Sequence, residues 1–181
     1  MSLFYNGMLR VVSSIGNEKT SMHNNKMLGH IVKSHLHITR RPYEEPYHLN
    51  LVVSASNGNI SACFEYFENA SAICKWASAL EQFPRHSDDV FLHEIGSEAP
   101  EERCAYYFKL RVSTTNSVGG CAIQLRFNNN QNSPNQELFE FCIHAEPSQI
   151  NRLGKLLRTF SELNHEILEW NVTEGLLHEF S

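Results

Sequence analysis

From Arg103 to Thr114 apolar and polar side chains alternate almost residue by residue. Cys104, Tyr106, Phe108, Leu110 and Val112 fall on one side, with Lys109, Arg111 and Ser113 on the other. A β-strand sends successive side chains to opposite faces, so this period predicts a strand with one buried and one wet face. Val118 to Phe127 repeats the pattern, with Cys121, Ile123, Leu125 and Phe127 inward and Gln124 and Arg126 outward; Thr115-Asn116-Ser117 is the turn between them. Glu137 to Ala145 gives a further strand with Phe139, Phe141 and Ile143 inward, after a polar loop from Asn128 to Gln136.

The first half carries the same period less cleanly. Met8 to Ser14 reads as a strand, followed by polar residues to Met27 and a second strand from Leu28 to Thr39 that Arg40-Arg41-Pro42 should break, since proline cannot donate to a ladder. Tyr47 to Ala55 and Asn59 to Phe67 flank Ser56-Asn57-Gly58, and Asn-Gly tolerates the positive φ of a hairpin turn. Asn69 then supplies a helix cap, with Ile73, Trp76, Ala77 and Leu80 at helical spacing before Pro84. Asp89 to Ile95 is a short mixed strand. Pro147 opens a second helix with Ile150, Leu153, Leu157 and Phe160 on one stripe, and His165 to Trp170 suggests a last strand.

These elements predict an α+β fold: one curved, mainly antiparallel sheet of about six to eight strands, packed by two helices. The organisation expected is an N-terminal strand or arm over 1–27, a single domain over 28–170 and a C-terminal tail over 171–181. The expected core is Phe64, Ile73, Trp76, Leu80, Tyr106, Phe108, Leu110, Ile123, Leu125, Phe127, Phe139, Phe141, Ile143, Leu153, Leu157 and Phe160.

The chain of 181 residues is 41% hydrophobic and 19% charged, an ordinary globular composition. It holds no apolar run near the roughly 20 residues that a spanning helix needs. Its five cysteines are odd in number and none stands in a C-x-x-C pair; with no secretory signal at the N-terminus, reduced thiols in a cytoplasm are expected. The net charge of −5 argues against a partner that is nucleic acid. Its distribution is uneven. Residues 1–41 hold six basic side chains and one acid, whereas residues 81–102 hold seven acids against Arg85 alone.

Candidate chemistry is sparse. His35 and His37, two apart on a strand, could ligate a metal with His48 as a third ligand, but two imidazoles on a sheet face are an incomplete set. Glu140, Cys142 and His144 share one strand face, where a thiol and its base would lack a pocket and oxyanion donors. Paired acids (Glu44 with Glu45, Asp88 with Asp89, Glu101 with Glu102) sit in polar loops, where nothing shifts their pKa. Tyr106 and Phe108 hold core-facing positions, which favours packing over base stacking. No P-loop, G-x-S-x-G or H-E-x-x-H phrase occurs. No cofactor, metal or catalytic residue is therefore expected.

The stretch from about residue 47 to residue 163 resembles a group of small bacterial domains of unknown function: a strand hairpin, a short helix ending in a W-x-x-x-L-x-x-F-P-like phrase (Trp76, Leu80, Phe83, Pro84), long strands and a closing helix. The resemblance implies an antiparallel sheet with two helices and brings no catalytic residues. In size and acidity such domains are similar to immunity proteins that neutralise toxins. The expected function is a non-catalytic protein-binding module, immunity-like, whose segment with Asp88, Asp89, Glu98, Glu101 and Glu102 meets a basic partner. The alternative is an enzyme or small-ligand or metal-binding domain using a cavity between sheet and helices. Exposed sheet edges also allow a homodimer.

Overall fold

The computed structural model describes residues 10–11, 33–116 and 119–180. The chain runs β1 (Arg10–Val11), β2 (His35–Glu44), β3 (His48–Ser56), β4 (Ser61–Glu68), α1 (Ala70–Leu80), β5 (Val90–Gly96), a 3-10 turn (Pro100–Glu102), β6 (Tyr107–Thr114), β7 (Cys121–Asn128), β8 (Leu138–Ala145), α2 (Pro147–Phe160), β9 (His165–Asn171) and β10 (Gly175–Glu179). Every strand pairing is antiparallel. The α+β antiparallel expectation therefore holds, but the strands form two sheets, not one curved sheet. The first has the order β1-β4-β3-β2-β9-β10 and the second β5-β6-β7-β8. Period-two alternation says which face of a strand is buried and nothing about which strand lies beside it. The change of sheet occurs in the connections: α1 carries the chain from β4 to β5, and α2 returns it from β8 to β9.

The hairpin of β3 and β4 forms where expected, around a loop closed by Asn57. Its side-chain Oδ1 accepts from the amides of Asn59 and Ile60, and Gly58 takes a φ of 91°. β2 does not stop at Arg41. It continues through Pro42 because the register with β3 slips between Arg41 and Glu44, a bulge at which no ladder donor is required. The part of the predicted first strands before Arg10 and after Val11, the arm to residue 27 and residues 28–32 lie outside the described residues. At the other end residues 175–179 are strand, not tail. Asn171 turns the chain by accepting from the amides of Thr173 and Glu174, and β10 then pairs with β9.

Both predicted helices are present and are capped as their sequences require. Asn69 Oδ1 accepts from the Ala72 amide at 2.9 Å, and Glu146 and Gln149 form a reciprocal box around Pro147. The two helices cross tightly at Gly154. A Cβ there would stand 2.5 Å from the Glu81 amide nitrogen and 2.7 Å from the Leu80 carbonyl carbon. Beside the crossing, Asn151 donates to the carbonyls of Leu80, which also accepts from the Phe83 amide, and of Phe83, which ties α2 to the end of α1.

All of the expected core residues are buried or packed against the core, Tyr106 in part. The first sheet adds a second set: Leu36, Ile38, Leu49, Leu51, Val53, Leu168 and Trp170. The sheets meet at Phe64 of β4, whose ring lies 5.1 Å from Phe108, 5.2 Å from Phe127 and 5.4 Å from Phe139, one ring on each of β6, β7 and β8. A charge also enters this interior. Arg40, 1% exposed, donates to the carbonyls of Leu163 and His165, pairs with Glu45 and lies 4.6 Å from the Phe180 ring centroid, so β2 is tied to the chain on both sides of β9.

The helix crossing makes a signed prediction. Alanine normally stabilises a helix interior relative to glycine by about 1 kcal/mol. Gly154→Ala should instead lower the urea-unfolding free energy by about 1–3 kcal/mol, because the backbone of α1 must move aside. A gain in stability would show that the helices do not meet there.

Candidate functional site

β5 is the outer strand of the second sheet, paired with β6 and with no other strand among the described residues. Its alternation is of an unusual kind: Val90, Leu92 and Glu94 point to the open face, and Phe91, His93 and Ile95 point inward. Val90 and Leu92 are 46% and 51% exposed. The strand ends at Gly96, whose φ of +71° and close approach to the Tyr106 carbonyl leave no room for a side chain.

From beneath, β5 is held by His93. Its ring stands 4.7 Å from Trp76 of α1 and 6.5 Å from Phe108. His93 Nε2 lies 2.8 Å from Glu68 Oε2 at the end of β4, close enough for an ion pair yet without the alignment of a hydrogen bond. The other Glu68 oxygen accepts from the Asn69 backbone and side chain. Around the pair, the Tyr66 hydroxyl and Trp76 Nε1 are also buried without a partner. Burial, with the Glu68 charge second, drives the Tyr66 phenol well above its usual pKa. Buried polar atoms without partners are rare and costly in proteins. The sequence did carry a sign of this cluster: Ala62, Phe64, Tyr66 and Glu68 share one register, so a carboxylate had to follow the core face inward.

Above β5 a charged row crosses all four strands. Glu94, Lys109, Arg126 and Glu140 are successive register partners. The Tyr107 hydroxyl donates to Glu94, and Arg126 donates to Glu140 at 2.6 Å. Arg126 also grips Glu98 through Nε and Nη2, and Asn128 adds a third donor. Partial burial alone would raise the Glu98 carboxyl, but these hydrogen bonds hold it below the ordinary value.

The five predicted partner-facing acids do not form one patch. Asp88 and Asp89 precede β5 and Glu98, Glu101 and Glu102 follow it, so a strand of about 23 Å separates the two groups. Asp89 is 3% exposed and leaves the set: its carboxylate accepts from the Arg85 amide and Nε, which overcomes the upward pull of burial and keeps the acid ionised. Glu98 is committed to Arg126. Asp88 is exposed, with its carboxyl lowered by a hydrogen bond from His86. Glu101 and Glu102 are exposed on the 3-10 turn. The turn borders a cleft of about 330 Å³ that also takes in Arg103, Cys104, Asn128 and Asn130.

The histidine triad does not assemble. His35 pairs with Ser56 and His48 with Glu44, so they occupy opposite ends of the β2–β3 ladder. Among the described residues no group of three or more His, Cys, Asp or Glu is placed to hold a metal ion. Glu140 is engaged by Arg126, Lys109 and Gln124, away from any partnership with Cys142 and His144. A thiol that sequence reasoning passed over, Cys121, does share a cleft of about 300 Å³ with His144 and Glu146, because the register sets Cys121 against Ala145. Burial first and Glu146 second push that thiol up, the reverse of what a nucleophile needs. None of the five cysteines is in a disulfide, and no helix among the described residues is long and apolar enough to cross a membrane.

No protein-family model, curated protein or solved structure matches the chain.

The outer row gives a spectroscopic test. Burial, aided by the hydrogen bond to Glu94, pushes the Tyr107 phenol up to about 12. With a raised folded pKa, the resulting stabilisation is whole below about pH 10 and lost as pH climbs toward 12. In an ultraviolet titration, Glu94→Gln should bring the Tyr107 midpoint part of the way down, because burial remains. A midpoint that does not move would show that the phenol and carboxylate are not in contact.

Proposed function

We propose that this chain is a non-catalytic protein-binding module whose partner meets the exposed side of β5 and the acids at its two ends. The observation that carries the reading is the exposure of Val90 and Leu92 side by side on an outer strand, with Asp88 before it and Glu101 and Glu102 after it. Large apolar side chains grouped on a surface mark contact sites more often than scattered ones do. Charges at the rim steer the encounter and select the sign of the partner. A basic protein partner fits, and the chain's own balance of −5 would assist its approach. An immunity-type role, in which a small acidic domain neutralises a basic toxin, is the specific form that this chemistry favours, and cytoplasmic residence with reduced thiols accompanies it.

A second reading draws support from the polar cluster under β5. The unpartnered Tyr66 hydroxyl and Trp76 Nε1, beside the Glu68–His93 pair, would suit a small hydrogen-bonding guest, making the chain a ligand-binding domain. The two readings separate by what stabilises the protein: a small molecule in one case, a macromolecule in the other.

The test uses the least engaged acids. A basic protein captured with the wild-type chain at low salt should associate about tenfold more slowly with the triple variant Asp88→Asn, Glu101→Gln, Glu102→Gln, with little change in dissociation. Stopped-flow fluorescence at two salt concentrations reads both rates. An association rate equal to that of wild type at low salt would contradict the reading.

A further inference from the structure

The exposed strand offers more than side chains. Each residue of an outer strand that is not bonded to its one neighbour presents an amide and a carbonyl to solvent, a template for a further strand. Natural proteins blunt such edges with charged side chains, lysine above all, with proline or bulges, or with an inward-pointing charge. Residues 90–96, Val-Phe-Leu-His-Glu-Ile-Gly, contain neither lysine nor proline, and their one inward polar residue, His93, is paired with Glu68. β10 has five residues, and β8, one residue longer than β5 and also without lysine or proline, exposes a single large apolar side chain, Leu138. β5 is thus the edge with two large apolar side chains exposed, Val90 and Leu92, and its one outward charge, Glu94, is engaged by the Tyr107 hydroxyl.

We infer that β5 binds an extended, basic-ended segment of another protein as a fifth strand of the second sheet. The inference rests on the protein-binding reading and names its mode and its partner chemistry. Three observations choose the occupant. Exposed Val90 and Leu92, the first and third residues of the strand, call for apolar side chains opposite them. The acids that flank β5 in the chain, Asp88 before it and Glu101 and Glu102 after it, call for Lys or Arg at the segment's termini. Of the basic groups nearby, Lys109 faces Glu140, Arg126 faces Glu98 and Glu140, Arg111 turns to the Ser113 hydroxyl and Arg85 faces Asp89, while exposed Arg103 offsets one of the two acids beside it. A second copy of the chain fits poorly. Antiparallel self-pairing about a two-fold axis at His93 would set Asp88 of each copy against Glu98 of the other, acid facing acid.

The experiment uses two synthetic peptides, Lys-Lys-Val-Thr-Val-Thr-Val-Lys-Lys and the same sequence N-methylated at alternate residues along one edge. Methylation removes the ladder donors of that edge and leaves charge and side chains unchanged. Titration followed by amide NMR on the intact chain should show the parent peptide perturbing Val90 to Gly96, and the methylated peptide binding at least tenfold more weakly, the loss of about 1.4 kcal/mol that one or two net hydrogen bonds supply. Leu92→Lys, at an exposed position, should keep the wild-type melting temperature and weaken the parent peptide to a similar degree.

Equal binding of the two peptides would overturn strand addition while leaving the acid-steered binding module standing, since that is read separately from the triple acid variant. Binding of neither peptide at millimolar concentration would also overturn it. Sedimentation showing a dimer that Leu92→Lys dissociates would assign the edge to a second copy and overturn the choice of occupant.

Discussion

Phe64 is the point on which the architecture turns. Two antiparallel sheets with no strand in common become a single interior only because side chains of one reach those of the other. The Phe64 ring reaches three strands of the second sheet at once, through Phe108, Phe127 and Phe139. Each such ring pair adds about 0.5–1.5 kcal/mol to simple burial. For a domain whose net stability is of order 5–15 kcal/mol, a seam of this kind decides whether the sheets stay together. The helices then close what the seam leaves open, α1 and α2 locked at Gly154 and α2 accepting Trp170 Nε1 at the Gln149 carbonyl.

The seam also explains why β5 can serve as an edge. An outer strand pairs on one side only and would be expected to fray. Here β5 has anchors of two kinds: its ladder to β6, and His93 set between Trp76 and Glu68. Because Glu68 belongs to the first sheet, the imidazole links the sheets a second time, near the strand that is proposed to receive a partner. A strand held rigid from within loses little conformational freedom on binding, which favours affinity for a given contact area.

Much of this was legible in the sequence, for identifiable reasons. Strong alternation in residues 103–145 gave three strands and their buried faces, since period two is a local property of the chain. Asn57-Gly58, Asn69 and Pro147 gave the hairpin and both helix starts, since turns and caps are also local. The division into two sheets was not legible, because strand neighbours are set by packing. β10 was missed because Leu176 and Leu177 stand adjacent and break the alternation. The acidic segment was visible as composition, yet only the folded chain separates Asp89, buried on Arg85, from Glu101 and Glu102 in solvent. The Tyr66–Glu68–Trp76–His93 cluster draws on three elements and could be anticipated only at Glu68.

Binding at β5 requires that its outer side be open in solution. Hydrogen exchange measured amide by amide along Val90 to Gly96 tests this without any ligand. The structure predicts an alternating profile: residues whose amides face β6 are protected, and those between them exchange orders of magnitude faster. Uniform protection across all seven residues would mean that the edge is already covered, and the binding surface described would not exist.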